Sequence, residues 1–138
     1  MKKPLEVLKL YPEHDYTLHG AFESRAGRDP QRPFLLFAGR TWSWVEFGVA
    51  AGKTACLLVA RGVRKGDRVA VMARNHEGHV LLLFALARIG AIMVPVNPEF
   101  GVAEARYVMR HAEACGVIAS SDTLDTARAA CQGLATAP

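Results

Sequence analysis

The sequence predicts an α/β fold, a largely parallel sheet flanked by helices, with a small hairpin at the N-terminal side. Three observations carry this reading. Residues 66–120 alternate short apolar runs with segments of helical length, in the order strand, helix, strand, helix, strand. The connecting segments are too long for hairpins, so the strands they join run parallel with right-handed crossovers. Ahead of them, two short apolar runs flank Gly39-Arg40, a spacing that closes a tight hairpin.

Composition bounds the class. A chain of 138 residues is long enough for one domain with its own core. A hydrophobic share of 51% excludes a disordered chain. The net charge of +4 comes mostly from scattered arginines. Their densest group, Arg61, Arg64 and Arg68 with Lys65, has no aromatic residue interleaved. It reads as a solvated helix-to-strand turn, and no nucleic-acid partner is expected. The cysteines, Cys56, Cys115 and Cys131, are odd in number and show no Cys-x-x-Cys spacing. With Cys56 in an apolar helix and Cys115 just before a strand, they read as buried reduced thiols, which fits a cytoplasmic protein. The basic start Met-Lys-Lys-Pro-Leu is followed by no long apolar run, so no secretory signal is expected. Arg88 and Pro95 interrupt the oiliest stretch, leaving it too short to cross a membrane.

The elements follow in order. Residues 1–15 have no clear period and read as a surface arm. Thr17 caps a first helix with Leu18, Ala21, Phe22 and Ala26 on one face, ended by Gly27 and Pro30. Residues 32–38 form a strand, and Thr41-Trp42 begins its return partner. Ser43 and Glu46 make a Ser-x-x-Glu capping box, in which each side chain satisfies a free backbone N–H of the other. The helix they start runs to about residue 61, with Phe47, Ala50, Ala51, Thr54, Leu57 and Leu58 as its buried stripe and Gly62 at a left-handed stop. Residues 68–74 form the first parallel strand, and Asn75 caps the next helix, 76–90. No polar residue occurs from Val80 to Ala87. This helix is therefore expected to be the most buried element, with Leu83 in the core. Residues 91–96 form a strand, 103–113 a helix and 116–120 a strand. Asp122 or Thr123 caps a last helix through about Cys131, and residues 132–138 read as a linker or truncated end.

Local chemistry is sparse. His76-Glu77-Gly78-His79 suggests zinc, but a metalloprotease helix needs a four-residue step to put both imidazoles on one face, and here the step is three. The run reads instead as a polar first turn of a buried helix, and no metal site is expected. His14, His19 and His111 stand alone. Between the strand at 68–74 and its helix, Arg74-Asn75-His76-Glu77-Gly78 lacks the Gly-x-Gly-x-x-Gly through which a backbone approaches a pyrophosphate. Neither a Gly-x-x-x-x-Gly-Lys-Ser/Thr loop nor a Gly-x-Ser-x-Gly elbow occurs.

Residues 61–75, Arg-Gly-Val-Arg-Lys-Gly-Asp-Arg-Val-Ala-Val-Met-Ala-Arg-Asn, resemble the early part of AMP-forming acyl-CoA synthetases. So do residues 86–98, Leu-Ala-Arg-Ile-Gly-Ala-Ile-Met-Val-Pro-Val-Asn-Pro. Ser43, Trp44, Glu46 and Phe47 stand where these enzymes have a Thr-Tyr-x-Glu-Leu helix start. The similarity to this adenylate-forming superfamily runs from about residue 16 to about 119, and the wording of 91–98 leans towards its carnitine and medium-chain acyl-CoA ligases. The resemblance implies that residues 16–131 are a partial N-terminal domain of an enzyme using ATP, Mg2+, CoA and a carboxylic acid, with the rest of the synthetase as partner. The family's Thr-Ser-Gly-Thr-Thr-Gly-x-Pro-Lys-Gly loop, its Tyr-Gly-x-Thr-Glu motif and its catalytic lysine are absent from this sequence. No catalytic residue is carried over, and the chain alone is expected to be a scaffold, inactive and without a cofactor.

Ligands of parallel sheets gather at the carboxyl ends of the strands. Those ends are Arg74-Asn75, residues 97–101 and Ser120-Ser121. In some relatives the loops after the second and third strands approach the CoA entrance, which implies that Asn97, Gly101 and Arg128 face CoA or the substrate channel. Phe100 stands where it could touch an acyl chain. Two other readings stay open, a stand-alone α/β binding or interaction module and the start of an amino-acid adenylation domain. A fragment would also leave a sheet edge and apolar surface uncovered, so self-association is expected.

Overall fold

A computed structural model describes Glu6 and residues 15–134. Most of the N-terminal arm and the last four residues of the C-terminal segment lie outside the described residues. Helix α1 (Leu18–Arg28) precedes the antiparallel pair β1 (Pro33–Phe37) and β2 (Arg40–Ser43). Helix α2 (Trp44–Ala60) leads to β3 (Arg68–Met72), α3 (Glu77–Ile89), β4 (Ile92–Val96), α4 (Val102–His111), β5 (Gly116–Ala119) and α5 (Leu124–Cys131). The strands β4, β3 and β5 form a parallel sheet in that order, so β3 is central and the chain crosses it between β4 and β5. The expected α/β class, the parallel sheet and the small hairpin are all present.

Strand β3 explains the layering. Successive side chains of a strand point to opposite faces. Val69 packs with Ala55, Leu58, Ala85 and Leu86 of α2 and α3. Ala70 and Met72 pack with Ala105, Met109, Ala127 and Ala130 of α4 and α5. With helices on both faces the strand needs apolar residues throughout, and Val69 to Met72 are at most 2% exposed. A third cluster, Phe22, Phe47 and Ala51 with Phe34, Trp44 and Phe84 against it, joins α1 and the hairpin to α2 and α3.

Several local expectations need correction. Strand β3, not α3, is the most buried element, because helices cover both faces of β3 while α3 leaves Leu83 and Arg88 exposed. Within α3 only Ala85 and Leu86 are fully buried, and Leu83 is 40% exposed. On α2, Ala55 is buried in place of Leu57, which is 54% exposed, and Cys56 is exposed because it lies off the Ala51–Ala55–Leu58 face. The hairpin turns at Ala38-Gly39, one residue earlier than expected. Both have positive φ, 46° and 80°, the mirror-image turn whose twist matches the flanking strands. The Ser43–Glu46 capping box forms as read. Gly90 ends α3 in the left-handed conformation, where a Cβ would also come within 2.9 Å of the Lys65 side chain.

Candidate ligand-binding end of the sheet

The loops leaving β3, β4 and β5 converge at the carboxyl edge. After β3, His76 rather than Asn75 caps α3, its Nδ1 accepting the Gly78 N–H at 3.0 Å. A ring nitrogen reaches the first turn from extended backbone as a shorter Asn would. The hairpin braces this corner. Trp42 donates its indole N–H to Glu77 at 3.0 Å, Arg40 lies 3.7 Å from the same carboxylate, and the Arg40 guanidinium sits 3.5 Å over the Trp42 ring.

After β5, Thr123 stands just before α5 at the capping position, but its side chain makes no capping bond. Its hydroxyl donates to the Met72 carbonyl and lies 3.1 Å from the Ser120 hydroxyl. Thr123 is 4% exposed, so this contact staples the β5–α5 loop to the end of β3 in a dry site. Hydrogen bonding from the Ser120 side chain, then from its own backbone N–H and from Arg74, holds the Asp122 carboxyl below the ordinary aspartate range.

After β4, the Asn97 side chain accepts the Glu99 N–H at 3.0 Å, and the Gly101 N–H donates to Glu104 at 2.9 Å. Phe100 is half-buried against the alanine and methionine layer. Arg128 is exposed on α5, 3.8 Å from Asp125. The structure thus brings Asn97 and Gly101 into one loop and sets Arg128 on the helix that packs against α4. Arg74 links the loops. Its guanidinium pairs with Glu99 after β4 and lies 3.1 Å from Asp122 after β5. Hydrogen bonding to Glu99, foremost, raises the pKa of Arg74.

Between the ends of β3 and β5 lies a cleft of about 490 Å3, with His79, Ser121 and Asp122 on its wall and Leu82 and Ile118 as its apolar part. Helix α3 follows β3 on one face of the sheet and α5 follows β5 on the other. Neighbouring strands whose helices diverge in this way open a crevice, the usual ligand position in such sheets. His79 Nδ1 is buried at this cleft without a hydrogen-bond partner. The strand ends were legible in the sequence. The cleft was not, because it depends on the order β4-β3-β5. Among the described residues no three His, Cys, Asp or Glu side chains are placed to hold a metal ion, and no helix is long and apolar enough to cross a membrane.

Residues 22–137 match the family described as AMP-binding enzyme. The acyl-CoA ligase SID4 of Ajellomyces capsulatus is 34% identical over 90 residues, 65% of this chain and 15% of that ligase. The crotonobetaine/carnitine–CoA ligase of Escherichia coli K12 (DH10B) is 35% identical over 80 residues, 58% of this chain and 16% of that enzyme. The matched stretch therefore spans about one-sixth of the length of these curated relatives. Among solved structures, a Rhodopseudomonas palustris CGA009 protein assigned as a long-chain-fatty-acid CoA ligase superposes with a TM-score of 0.83 at 29% identity, over 89% of this chain and 31% of that one. The N-terminal subdomain of Klebsiella oxytoca NpsA, solved with anthranilyl-AMSN, gives 0.72 at 27% identity over 78% and 29%. The fold is that of the N-terminal part of adenylate-forming enzymes. The chain belongs to the AMP-binding enzyme family, and its relatives include acyl-CoA ligases.

Proposed function

We propose that this chain is the opening part of a cytoplasmic, ATP-dependent acyl-CoA ligase and serves there as scaffold and as one wall of the CoA or substrate channel. In such a ligase a carboxylate oxygen displaces pyrophosphate from ATP to give acyl-AMP, and the CoA thiol then displaces AMP to give acyl-CoA. The observation that carries the reading is the family match over residues 22–137, supported by similarity to a carnitine–CoA ligase. The residues present do not fit ATP or Mg2+. The sequence holds no phosphate-gripping loop, and the described residues offer no three-ligand metal cluster. No step is assigned to this chain's side chains for that reason. Asn97, Gly101 and Arg128 are assigned to the channel wall from their place beyond β4 and on α5.

The test has two readings. Purified residues 1–138 should release no pyrophosphate in a carboxylate-dependent way above a mock preparation, and release would overturn the scaffold role. In the longer ligase, Asn97→Ala and Arg128→Ala should raise the KM for CoA or the carboxylic acid, and unchanged KM values for both would overturn the channel assignment. A second reading, the start of an adenylation domain, is favoured by the likeness to NpsA, which has also been solved artificially fused to ThdA as an adenylation–PCP di-domain NRPS. A carrier domain accepted in place of CoA by the longer protein would select it.

A further inference from the structure

We infer that Arg74 is a positioning residue whose guanidinium ties the loops after all three parallel strands, fixing the spacing between the Asn97–Gly101 turn and the start of α5. Arg74 leaves β3, Glu99 belongs to the loop after β4, and Asp122 belongs to the loop after β5. One planar fork meets both carboxylates. The sequence separations are large, 48 residues between Arg74 and Asp122, so the tie joins segments that no local turn connects.

The loop after β4 has an internal lock, and the loop after β5 is fastened to the end of β3. Asn97 accepts from Glu99 on one side, and Thr123 donates to Met72 on the other. Helix packing and the Thr123 bond hold the roots of these loops, and Arg74 is the side chain that pairs with both loop tips at once. Arginine suits this place because its rigid fork serves two carboxylates in one plane, while a lysine is a single point charge. The partners are exposed, Arg74 by 63% and Glu99 by 64% of their side-chain area, so the tie adds little to global stability. Its effect falls on where two ligand-bearing loops sit relative to each other. The functional half of this inference rests on the channel reading above.

Amide hydrogen exchange, followed by NMR on the full chain, tests it. In Arg74→Gln, the Glu99 and Phe100 amides after β4 and the Thr123 amide after β5 should exchange faster by about two- to five-fold, the size exposed ion pairs give. Glu99→Gln should release only the loop after β4, and Asp122→Asn only the loop after β5. Arg74→Lys should restore one loop at most. Exchange from α2 should be unchanged in all four variants, which a general loss of stability would not allow. Raising salt to about 1 M should move the native chain towards the Arg74→Gln pattern, since screening then acts within ~3 Å. Unaltered loop exchange in Arg74→Gln, or acceleration spread evenly over the chain, overturns the tie. In the longer ligase, Arg74→Gln should raise the KM for CoA by a similar factor with kcat unchanged, and an unchanged KM with loosened loops overturns the positioning role. CoA and carboxylic acid KM values in the longer ligase that Asn97→Ala and Arg128→Ala leave unchanged, with the exchange pattern as expected, sink the channel reading and leave the tie standing.

Discussion

Two regions of the molecule are packed with different materials. Beyond the sheet, where α1 and the hairpin meet α2 and α3, aromatic rings interlock. Phe22, Phe34, Trp44, Phe47 and Phe84 meet one another tilted or edge-on, with centroids between 4.4 and 5.9 Å apart. On the α4–α5 side the fully buried residues are small or flexible, namely Ala105, Ala127 and Ala130 with Met72 and Met109. Rings fill space between elements that stand apart, here α1, the hairpin and two helices. Alanines let helix backbones come close, and Arg106 can then reach from α4 to the Ala129 and Ala130 carbonyls at the end of α5, at 2.7 and 3.2 Å. One region should therefore fail when side chains are removed, and the other when they are enlarged.

Phe47→Ala tests the first region and should give the largest effect. Phe47 is 1% exposed and touches four other rings of the cluster. Truncation loses the transfer energy of the ring and leaves a cavity, about 3–5 kcal/mol in urea unfolding. A loss below about 1 kcal/mol would show that the hairpin and α1 are not anchored by this cluster. Ala130→Leu tests the second region. Ala130 is 0% exposed, so the added carbons must displace α4, at about 1–3 kcal/mol. The same change at exposed Ala103 of α4 is the control and should be close to neutral. Equal effects at the two alanines would erase the contrast between the regions.

The same comparison shows what the sequence could reveal. Capping and turn chemistry are local, so Ser43, Glu46 and Thr17 were legible from spacing alone, and each forms its expected bond. Strand and helix identities followed from apolar runs for the same reason. Burial on a particular face is not local. The run from Val80 to Ala87 is apolar all round, which from sequence places Leu83 in the core, yet Leu83 is 40% exposed. Leu83→Asp should therefore cost less than about 1 kcal/mol rather than the several expected for a buried charge. Ser43→Ala, which strips the cap of α2, should cost about 0.5–2 kcal/mol. The candidate site divides in the same way. Asn97 and Gly101 lie in a turn readable from Asn-Pro-Glu-Phe-Gly, whereas the Arg74 tie and the cleft beside His79 require three strands to be ordered first.

The smallest effect separates two carboxylates, one in each region. Glu46 is held below the ordinary glutamate range by the Ser43 backbone N–H, foremost, and then by the Ser43 hydroxyl. Asp122 is held down by Ser120, then by its own backbone N–H and by Arg74. A carboxyl with a lowered folded pKa stabilises the native state at every pH above its unfolded value, about 4 for these groups. That contribution is lost as pH falls through the folded value. The difference in Tm between the native chain and Glu46→Gln should therefore be flat from pH 8 to about 5 and shrink below about 4, and Asp122→Asn should behave likewise. Salt distinguishes them. At about 1 M, hydrogen bonds from serine persist while the exposed Arg74 pair is screened. Added salt should then reduce the Asp122→Asn difference more than the Glu46→Gln difference. Equal salt sensitivity would mean that Arg74 contributes nothing at Asp122, and it would weaken the tie as well. A Glu46→Gln difference that grew on acidification would contradict the sign of the shift, because protonating Glu46 removes the acceptor the capping box uses.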